Sequence, residues 1–158
     1  MGMVAGSSSS QTALSAVRTD LRDLVDRYAL YVDRGEYERV AELFGSDGTL
    51  CTSVSAAVSG KDAIVASLRS ALSWFAQQYD FELDGLRSHH FVGNHVCAID
   101  GGQATGTAYC LARLGEPNQK VVILNVLRYE DSYQLTESGW RFRSRAVVRL
   151  WTEQPVVV

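Results

Sequence analysis

The apolar pattern of the chain changes at Gly85, and this change limits the folds that the chain can adopt. Before Gly85, apolar residues recur at steps of three and four in two long segments, which is the spacing of amphipathic helices. After Gly85, four long segments are rich in β-branched and aromatic residues, as strands are. Helices that precede a run of strands predict an α+β domain with a mostly antiparallel sheet, rather than alternating βαβ units.

The same patterns place the individual helices and strands. The first helix is predicted from Ala13 to Arg34, with Gly35 as its stop signal. A short second helix, a strand that opens at Asp47 and a third helix after Gly60 follow. The four strand-like runs cover residues 86–99, 103–114, 120–135 and 139–151, and a glycine-rich turn separates the first two.

Composition excludes several classes of protein. The 158 residues fit one domain, predicted over residues 13–153 after a flexible leader over residues 1–12. No apolar run approaches the roughly 20 residues that a membrane-spanning helix needs, so no membrane is expected. A net charge of −3 provides no basic surface for a phosphate backbone, so nucleic acid is not an expected partner. Three cysteines without a CxxC pair favour reduced thiols and a cytoplasmic location.

The run VVILNVL, residues 121–127, is apolar at almost every position. A strand exposes two faces, and the predicted helices can cover only one of them. The other face needs a second cover, which a chain of this length does not supply itself. We therefore expect a homodimer or homotrimer that forms through the outer face of the sheet.

All three histidines of the chain lie in the decapeptide RSHHFVGNHV, residues 87–96. Strand alternation places His90 and Asn94 on one face, and His89 and His95 on the other. Histidines on opposite faces cannot converge on one ion, and no carboxylate lies at ligand spacing, so no metal site is predicted. A neutral imidazole accepts a proton near pH 7, which makes acid–base chemistry the stronger interpretation.

Other polar residues of the strands are assigned to the surface. His89 and His95 are predicted to be surface or interface residues. Arg141, Arg143 and Arg145 alternate along the last strand, and we interpret them as a solvated face. Neither group is a candidate for a functional site.

Three segments of the chain resemble the SnoaL-like branch of the nuclear-transport-factor-2-like superfamily. They are YALYVDRGEYERVAELFGSDGTL, SHHFVGNHVCAIDGGQATGTAY and GWRFRSR, and the resemblance extends from about residue 15 to residue 150. It implies a cone-shaped α+β fold, in which a curved, mixed, mostly antiparallel sheet wraps around three N-terminal helices. It also implies an apolar pocket inside the cone.

The resemblance further implies an Asp–His dyad in that pocket, as in dehydratases and dehydrochlorinases of the superfamily. Asp33 in YVDRG and His90 in SHHFVG stand at the matching positions. A carboxylate at the end of a helix opposes the helix dipole, which indicates that another interaction requires Asp33. The dehydratases carry a second histidine on the following strand, and QATGTAYCLARL contains none. The predicted substrate-binding residues are Asn125, which matches a pocket carboxamide, together with Tyr28, Asn94 and Tyr109.

These residues predict a lyase or isomerase that uses no cofactor and acts on a small, largely apolar molecule. His90 would remove a proton, Asp33 would orient His90, and Asn125 would hold a substrate oxygen. One alternative is another pocket enzyme, such as a polyketide-cyclase-like, ketosteroid-isomerase-like or epoxide-hydrolase protein. A second alternative is a non-catalytic domain that binds a small ligand, because this fold serves many purposes.

Overall fold

The computed structural model describes residues 5–116 and 122–153 of the chain. Within these residues three helices come first and four long strands last, which confirms the predicted α+β class. In chain order the elements are α1 (Ala5–Asp33), α2 (Tyr37–Glu42), β1 (Phe44–Cys51), β2 (Val58–Ser59), α3 (Lys61–Gln78), β3 (Arg87–Asp100), β4 (Gln103–Gly115), β5 (Val122–Thr136) and β6 (Gly139–Glu153).

The first elements differ in their bounds from the sequence-based prediction. Helix α1 begins at Ala5 rather than at Ala13, and β1 begins at Phe44 rather than at Asp47. The short strand β2 is not apparent from the sequence, because a two-residue strand carries no periodicity. Residues 1–4 of the predicted leader lie outside the described residues, and the division into leader and domain stays a prediction.

The strands of the described region form one six-stranded sheet in the order β2-β1-β6-β5-β4-β3. Strands β1 and β6 are parallel, with Leu50 opposite Arg145, and every other neighbouring pair is antiparallel. The sheet is therefore mixed and mostly antiparallel, as predicted. It is not closed into a barrel, so β2 and β3 are its edges.

Gly35 terminates helix α1, as the sequence predicts. Gly35 has a φ of +69°, its N–H donates to Val32 O at 3.0 Å, and the N–H of Glu36 donates to Tyr31 O at 2.9 Å. These two bonds define a Schellman motif, in which a glycine adopts the left-handed conformation at low cost. The motif turns the chain into α2 and makes Asp33 the last helical residue.

Polar side chains of α1 bind the unpaired backbone of the edge strand β3. Arg22 Nη1 donates to Gly93 O at 2.6 Å, and Asp33 Oδ2 accepts the backbone N–H of His90 at 2.9 Å. An exposed strand edge is a template for pairing with other chains. These contacts therefore fix α1 against the sheet and provide hydrogen-bond partners for some of the unpaired backbone groups of β3.

A β-bulge in β3 reverses the predicted faces of its second half. Val92 pairs with Cys110 but His95 pairs with Ala108, so β3 contains one more residue than β4 between these pairs. Alternation therefore restarts at the bulge, with His95 turned inward and Asn94 exposed. The prediction that Asn94 shares a face with His90, and the surface assignment of His95, are both wrong for this reason.

A second bulge, in β6, changes the position of Arg145. Ser132 pairs with Ser144 and Tyr133 pairs with Phe142, so Arg143 is the extra residue of β6. Arg143 is exposed, whereas Arg145 is 1% exposed and faces the core. The prediction that all three arginines of this strand are solvated is therefore wrong for Arg145.

Arg145 is the largest fully buried side chain among the described residues. Its Nε and Nη2 donate to Asp131 at 2.8 and 2.7 Å. Its guanidinium also lies over the rings of Tyr28, Tyr129 and Phe142 at 4.2 to 4.3 Å from their centroids. The paired carboxylate and the aromatic rings together compensate for the loss of water around a buried cation.

The buried apolar residues form two separate clusters. The larger cluster joins α1, α2 and the inner face of the sheet, and includes Val25, Val40 and Phe142. The smaller cluster lies between α3 and the ends of β4 and β5, and includes Phe75 and Leu114. A cavity separates the two clusters, since residues of both line it.

The outer face of the sheet carries an apolar row that crosses four strands. Cross-strand pairing aligns Phe91, Leu111, Val126 and Trp151, and all of these except Val126 are exposed. We still predict that a second copy of the chain covers the outer face of the sheet through this outer row.

None of the described helices is long and apolar enough to span a membrane.

The ion pair of Arg145 and Asp131 generates a prediction about stability. Asp131→Asn leaves a buried guanidinium without its counter-charge, so the free energy of unfolding should fall by about 3–5 kcal/mol. Glu130→Gln is the matched control, because Glu130 pairs with Arg128 on the exposed face of the same strand. Its loss should stay within about 1 kcal/mol. Urea unfolding measures both values, and equal losses would contradict this account of the core.

Candidate active site

A cavity opens between the three helices and the inner face of the sheet. Its empty volume is about 640 Å³, which includes open solvent at its mouth. Most of its wall is apolar, and α1, α2, α3 and strands β3 to β6 all contribute to it. Its lining residues include Tyr28, Val32, Tyr37, Leu68, Leu72, Phe75, Ser88, His90, Ala112, Leu114, Asn125, Leu127 and Val147.

Asp33 and His90 meet at the wall of this cavity. His90 Nδ1 lies 2.6 Å from Asp33 Oδ1, and the two side chains are 11% and 19% exposed. Asp33 Oδ1 also accepts a hydrogen bond from Ser88 Oγ at 3.0 Å, while Oδ2 accepts the backbone N–H of His90. The carboxylate is thus held at both oxygens, and its orientation fixes the imidazole.

This contact determines which nitrogen of the neutral imidazole carries the proton. A carboxylate only accepts hydrogen bonds, so Nδ1 of His90 must donate to Asp33. The other ring nitrogen, Nε2, is then unprotonated and retains its lone pair. His90 lines the cavity, so a ligand bound there lies beside this imidazole ring.

Asp33 is held in its charged form. Burial acts to raise the pKa of Asp33, but hydrogen bonds from the ring and backbone of His90 and from Ser88 outweigh burial. The pKa of Asp33 is therefore below its ordinary value. A carboxylate at the C-terminal end of α1 opposes the helix dipole, and these three bonds are the interaction that compensates for it.

Asn125 lies in the same cross-strand row as His90. The row runs from His90 through Ala112 and Asn125 to Thr152. Asn125 is 1% exposed, and its Oδ1 accepts a hydrogen bond from Thr152 Oγ1 at 2.7 Å. The amide Nδ2 is thus the half of Asn125 that can donate to a ligand oxygen. The small side chain of Ala112 leaves room for a ligand between Asn125 and His90.

Two tyrosines contribute aromatic walls to the cavity. Burial raises the pKa of Tyr28 to about 12 and also raises the pKa of Tyr37. Both phenols are therefore protonated at neutral pH, so each hydroxyl can donate a hydrogen bond. Tyr28 was predicted as a substrate contact and does line the cavity, whereas Tyr37 was not identified.

Two predicted substrate contacts lie outside the cavity. Asn94 is exposed at the β3 bulge, and Tyr109 is 45% exposed on the outer face of β4. Side chains alternate between the two faces along β4, so Tyr109 points outward while its neighbours Ala108 and Cys110 point inward. The structure therefore brings together Asp33, His90, Asn125 and Tyr28, but not Asn94 or Tyr109.

Some cavity residues were missed at the level of sequence. Ser88 could have been found, because strand alternation puts it on the same face as His90. Thr52 and Ser53 could not, because they follow β1 in an irregular segment without a periodic signal.

The third histidine belongs to a separate polar cluster. His95 Nε2 lies 3.1 Å from Tyr133 Oη, and this phenol donates to Asp131 at 2.8 Å. Burial lowers the pKa of His95, which favours its neutral form. In the part of the chain that the structure describes, no group of three or more His, Cys, Asp or Glu residues is placed to hold a metal ion.

The fold and this site define a member of the nuclear-transport-factor-2-like superfamily, an α+β cone with a pocket beneath its helices. Residues 14–146 match the SnoaL-like domain family, and the chain therefore belongs to that family. No curated protein matches the chain significantly.

Several solved structures share the fold. A candidate scytalone dehydratase from Novosphingobium aromaticivorans is 17% identical, with a TM-score of 0.73 over 94% of this chain and 93% of its own. A hexachlorocyclohexane dehydrochlorinase from Novosphingobium barchaimii is 15% identical, with a TM-score of 0.75 over 92% and 94%. An NTF2-like protein with a cystatin-like fold, also from N. aromaticivorans, is 25% identical, with a TM-score of 0.67 over 94% and 92%.

The charge state of Asp33 generates a prediction about pH. Since the pKa of Asp33 is lowered in the folded state, its charged form stabilises the fold. This contribution is complete above about pH 4, the ordinary range of an aspartate, and is lost as pH falls through the lower pKa of the folded state. The difference in unfolding free energy between wild type and Asp33→Asn should therefore shrink as pH falls below about 4.

Denaturant unfolding at a series of pH values measures this difference. Asp100→Asn is the matched control, because it removes an exposed carboxylate at the end of β3. A difference for Asp33→Asn that grows as pH falls below about 4 would contradict the hydrogen bonding described for Asp33.

Proposed function

We propose that this protein is a cofactor-free lyase or isomerase that removes a proton from a small, largely apolar substrate. The observation that carries the proposal is the Asp33–His90 contact at the wall of an apolar cavity. It leaves an unprotonated ring nitrogen where a ligand can reach it. His90 is the general base, and Asp33 orients the ring and stabilises the imidazolium that forms.

The proton transfer requires an acidic C–H group in the substrate. A C–H group next to a carbonyl meets this requirement, because the electron pair of the broken C–H bond moves onto the carbonyl oxygen. Asn125 Nδ2 can donate a hydrogen bond to that oxygen, and a preorganised donor in a dry pocket stabilises developing charge. The row that joins His90 and Asn125 across Ala112 positions the base and the donor along one line.

Two outcomes balance the bonds after proton removal. In an elimination, the C–H electron pair forms a C=C bond, the neighbouring leaving group departs with its own electron pair, and His90 later releases the proton to water. In an isomerisation, His90 returns the proton to a different carbon and the double bond moves. Both outcomes use one base, and neither requires a protein group that forms a covalent bond to the substrate.

Similar structures support an elimination or a related reaction. The names of two of them, a candidate dehydratase and a dehydrochlorinase, describe removal of water and of hydrogen chloride. Both reactions begin with, or include, loss of a proton from carbon. We extend only this shared step to the present chain.

Hydrogen exchange tests the proton transfer without a known substrate. We expect the wild type to accelerate exchange of the C2 protons of 1-indanone in D₂O, measured by NMR. His90→Gln and Asp33→Asn should each lower this rate by about a hundredfold or more, because each removes the base or its orienting charge. The double variant should be only slightly slower than the slower single variant, since both residues act in one step.

His89→Gln is the matched control, because His89 is exposed on the opposite face of the same strand. Its exchange rate should equal that of the wild type. Exchange that survives His90→Gln would exclude His90 as the base. Saturable binding of 1-indanone without faster exchange would indicate a ligand-binding domain instead of an enzyme.

A further inference from the structure

A chain of hydroxyl groups lies at the cavity wall and has no part in the proposed proton transfer. Thr52 Oγ1 lies 2.6 Å from Ser55 Oγ, and Ser55 Oγ lies 3.0 Å from Ser67 Oγ. Thr52 lines the cavity, while Ser67 is 7% exposed within α3. The linked hydroxyl groups thus connect the cavity surface to a buried residue of α3.

The hydroxyl chain and the dyad lie on opposite sides of the cavity. Thr52 directly follows β1, His90 belongs to β3, and β6, β5 and β4 lie between these strands in the sheet. The part of α3 that closes the cavity is otherwise apolar, with Leu68, Leu72 and Phe75 at its surface. A ligand that extends across the cavity therefore meets polar groups near His90, at Asn125 and at Thr52.

The hydrogen bonds of Thr52 leave one position for a ligand. Thr52 Oγ1 accepts the backbone N–H of Val54 at 3.4 Å and shares a second bond with Ser55. A hydroxyl group has one donor and two acceptor positions, so one position stays open. The open position is a donor if Ser55 donates to Thr52, and an acceptor if Thr52 donates to Ser55.

A hydroxyl group is the ligand chemistry that fits both cases. A carbonyl oxygen only accepts hydrogen bonds and an N–H only donates them, but a hydroxyl group does both. Asn125 differs, since its free amide half only donates and so favours a carbonyl oxygen.

We propose that Thr52 binds a hydroxyl group of the substrate, and that Ser55 and Ser67 are positioning residues that orient the Thr52 hydroxyl. The inference rests on the proposed function, because both take this cavity to be the substrate site. It adds that the substrate carries a hydroxyl group in addition to the oxygen held by Asn125. It concerns binding alone, so it can be tested without turnover.

Calorimetric titration of the His90→Gln variant tests the proposal, because this variant prevents turnover of the probes. The probes are 1-indanone and 3-hydroxy-1-indanone, which differ by one hydroxyl group. We expect the hydroxy compound to bind roughly three- to tenfold more tightly, as one added hydrogen bond provides. Adding Thr52→Val should abolish this preference and leave the affinity for 1-indanone unchanged. Adding Thr52→Ser, which retains the hydroxyl, should preserve the preference.

Two further variants serve as controls in the same background. Ser53→Ala removes the other hydroxyl of the segment that lines the cavity, and Thr107→Val removes an exposed hydroxyl on the outer face. Both should keep the preference, whereas Ser67→Ala should reduce it, since Ser67 orients Thr52 through Ser55.

Three results would overturn the proposal. In the first, the His90→Gln protein binds both probes equally or binds neither. In the second, the preference for the hydroxy compound persists after Thr52→Val is added. In the third, the preference is lost in Ser53→Ala but not in Thr52→Val. Failure of the proposed function gives a different result, because the wild type then binds 1-indanone without exchanging its protons. The hydroxyl preference would still be measurable in that case.

Discussion

The carboxylate of Asp33 joins the C-terminal end of α1 to the edge strand β3, and both the fold and the site depend on this contact. It accepts one bond from the backbone of His90, one from its ring and one from Ser88. The backbone bond satisfies part of a sheet edge, while the ring bond selects the tautomer of the imidazole. One side chain thus fixes a helix on the sheet and orients the imidazole at the cavity wall. Without these three bonds, the carboxylate would lie at the negative end of α1 without compensation.

The cavity follows from the way the sheet is covered. Helix α1 binds along β3, and α3 covers the ends of the central strands, so the two apolar clusters do not fuse. The gap between them is lined mainly by apolar residues, with polar groups at separate places on the wall. His90 supplies a hydrogen-bond acceptor, Asn125 a donor and Thr52 a group that can do both. Such a distribution favours a small apolar molecule with few, defined polar groups.

The sequence predicted those features that depend on periodicity or on chain order. The helices, the order of the long strands and the stop at Gly35 follow from local patterns, and Asp33 and His90 follow from the family resemblance. The failures at Asn94, His95 and Arg145 lie at two β-bulges, which shift the alternation of faces by one residue. Asn94 was assigned to the pocket and Arg145 to solvent for this reason, although Arg145 lies within the core. A bulge arises from how two strands pair; Gly93 is a sequence sign of the bulge in β3, whereas no such residue marks the bulge at Arg143.

The central claim is that Asp33 holds His90 with its proton on Nδ1 and its lone pair on Nε2. Nitrogen NMR of the labelled imidazole, at a pH where the ring is neutral, reads the two nitrogens separately. The account predicts a protonated Nδ1 and an unprotonated Nε2, with this tautomer lost or mixed in Asp33→Asn. A proton on Nε2 in the wild type, or the same spectrum in Asp33→Asn, would contradict it.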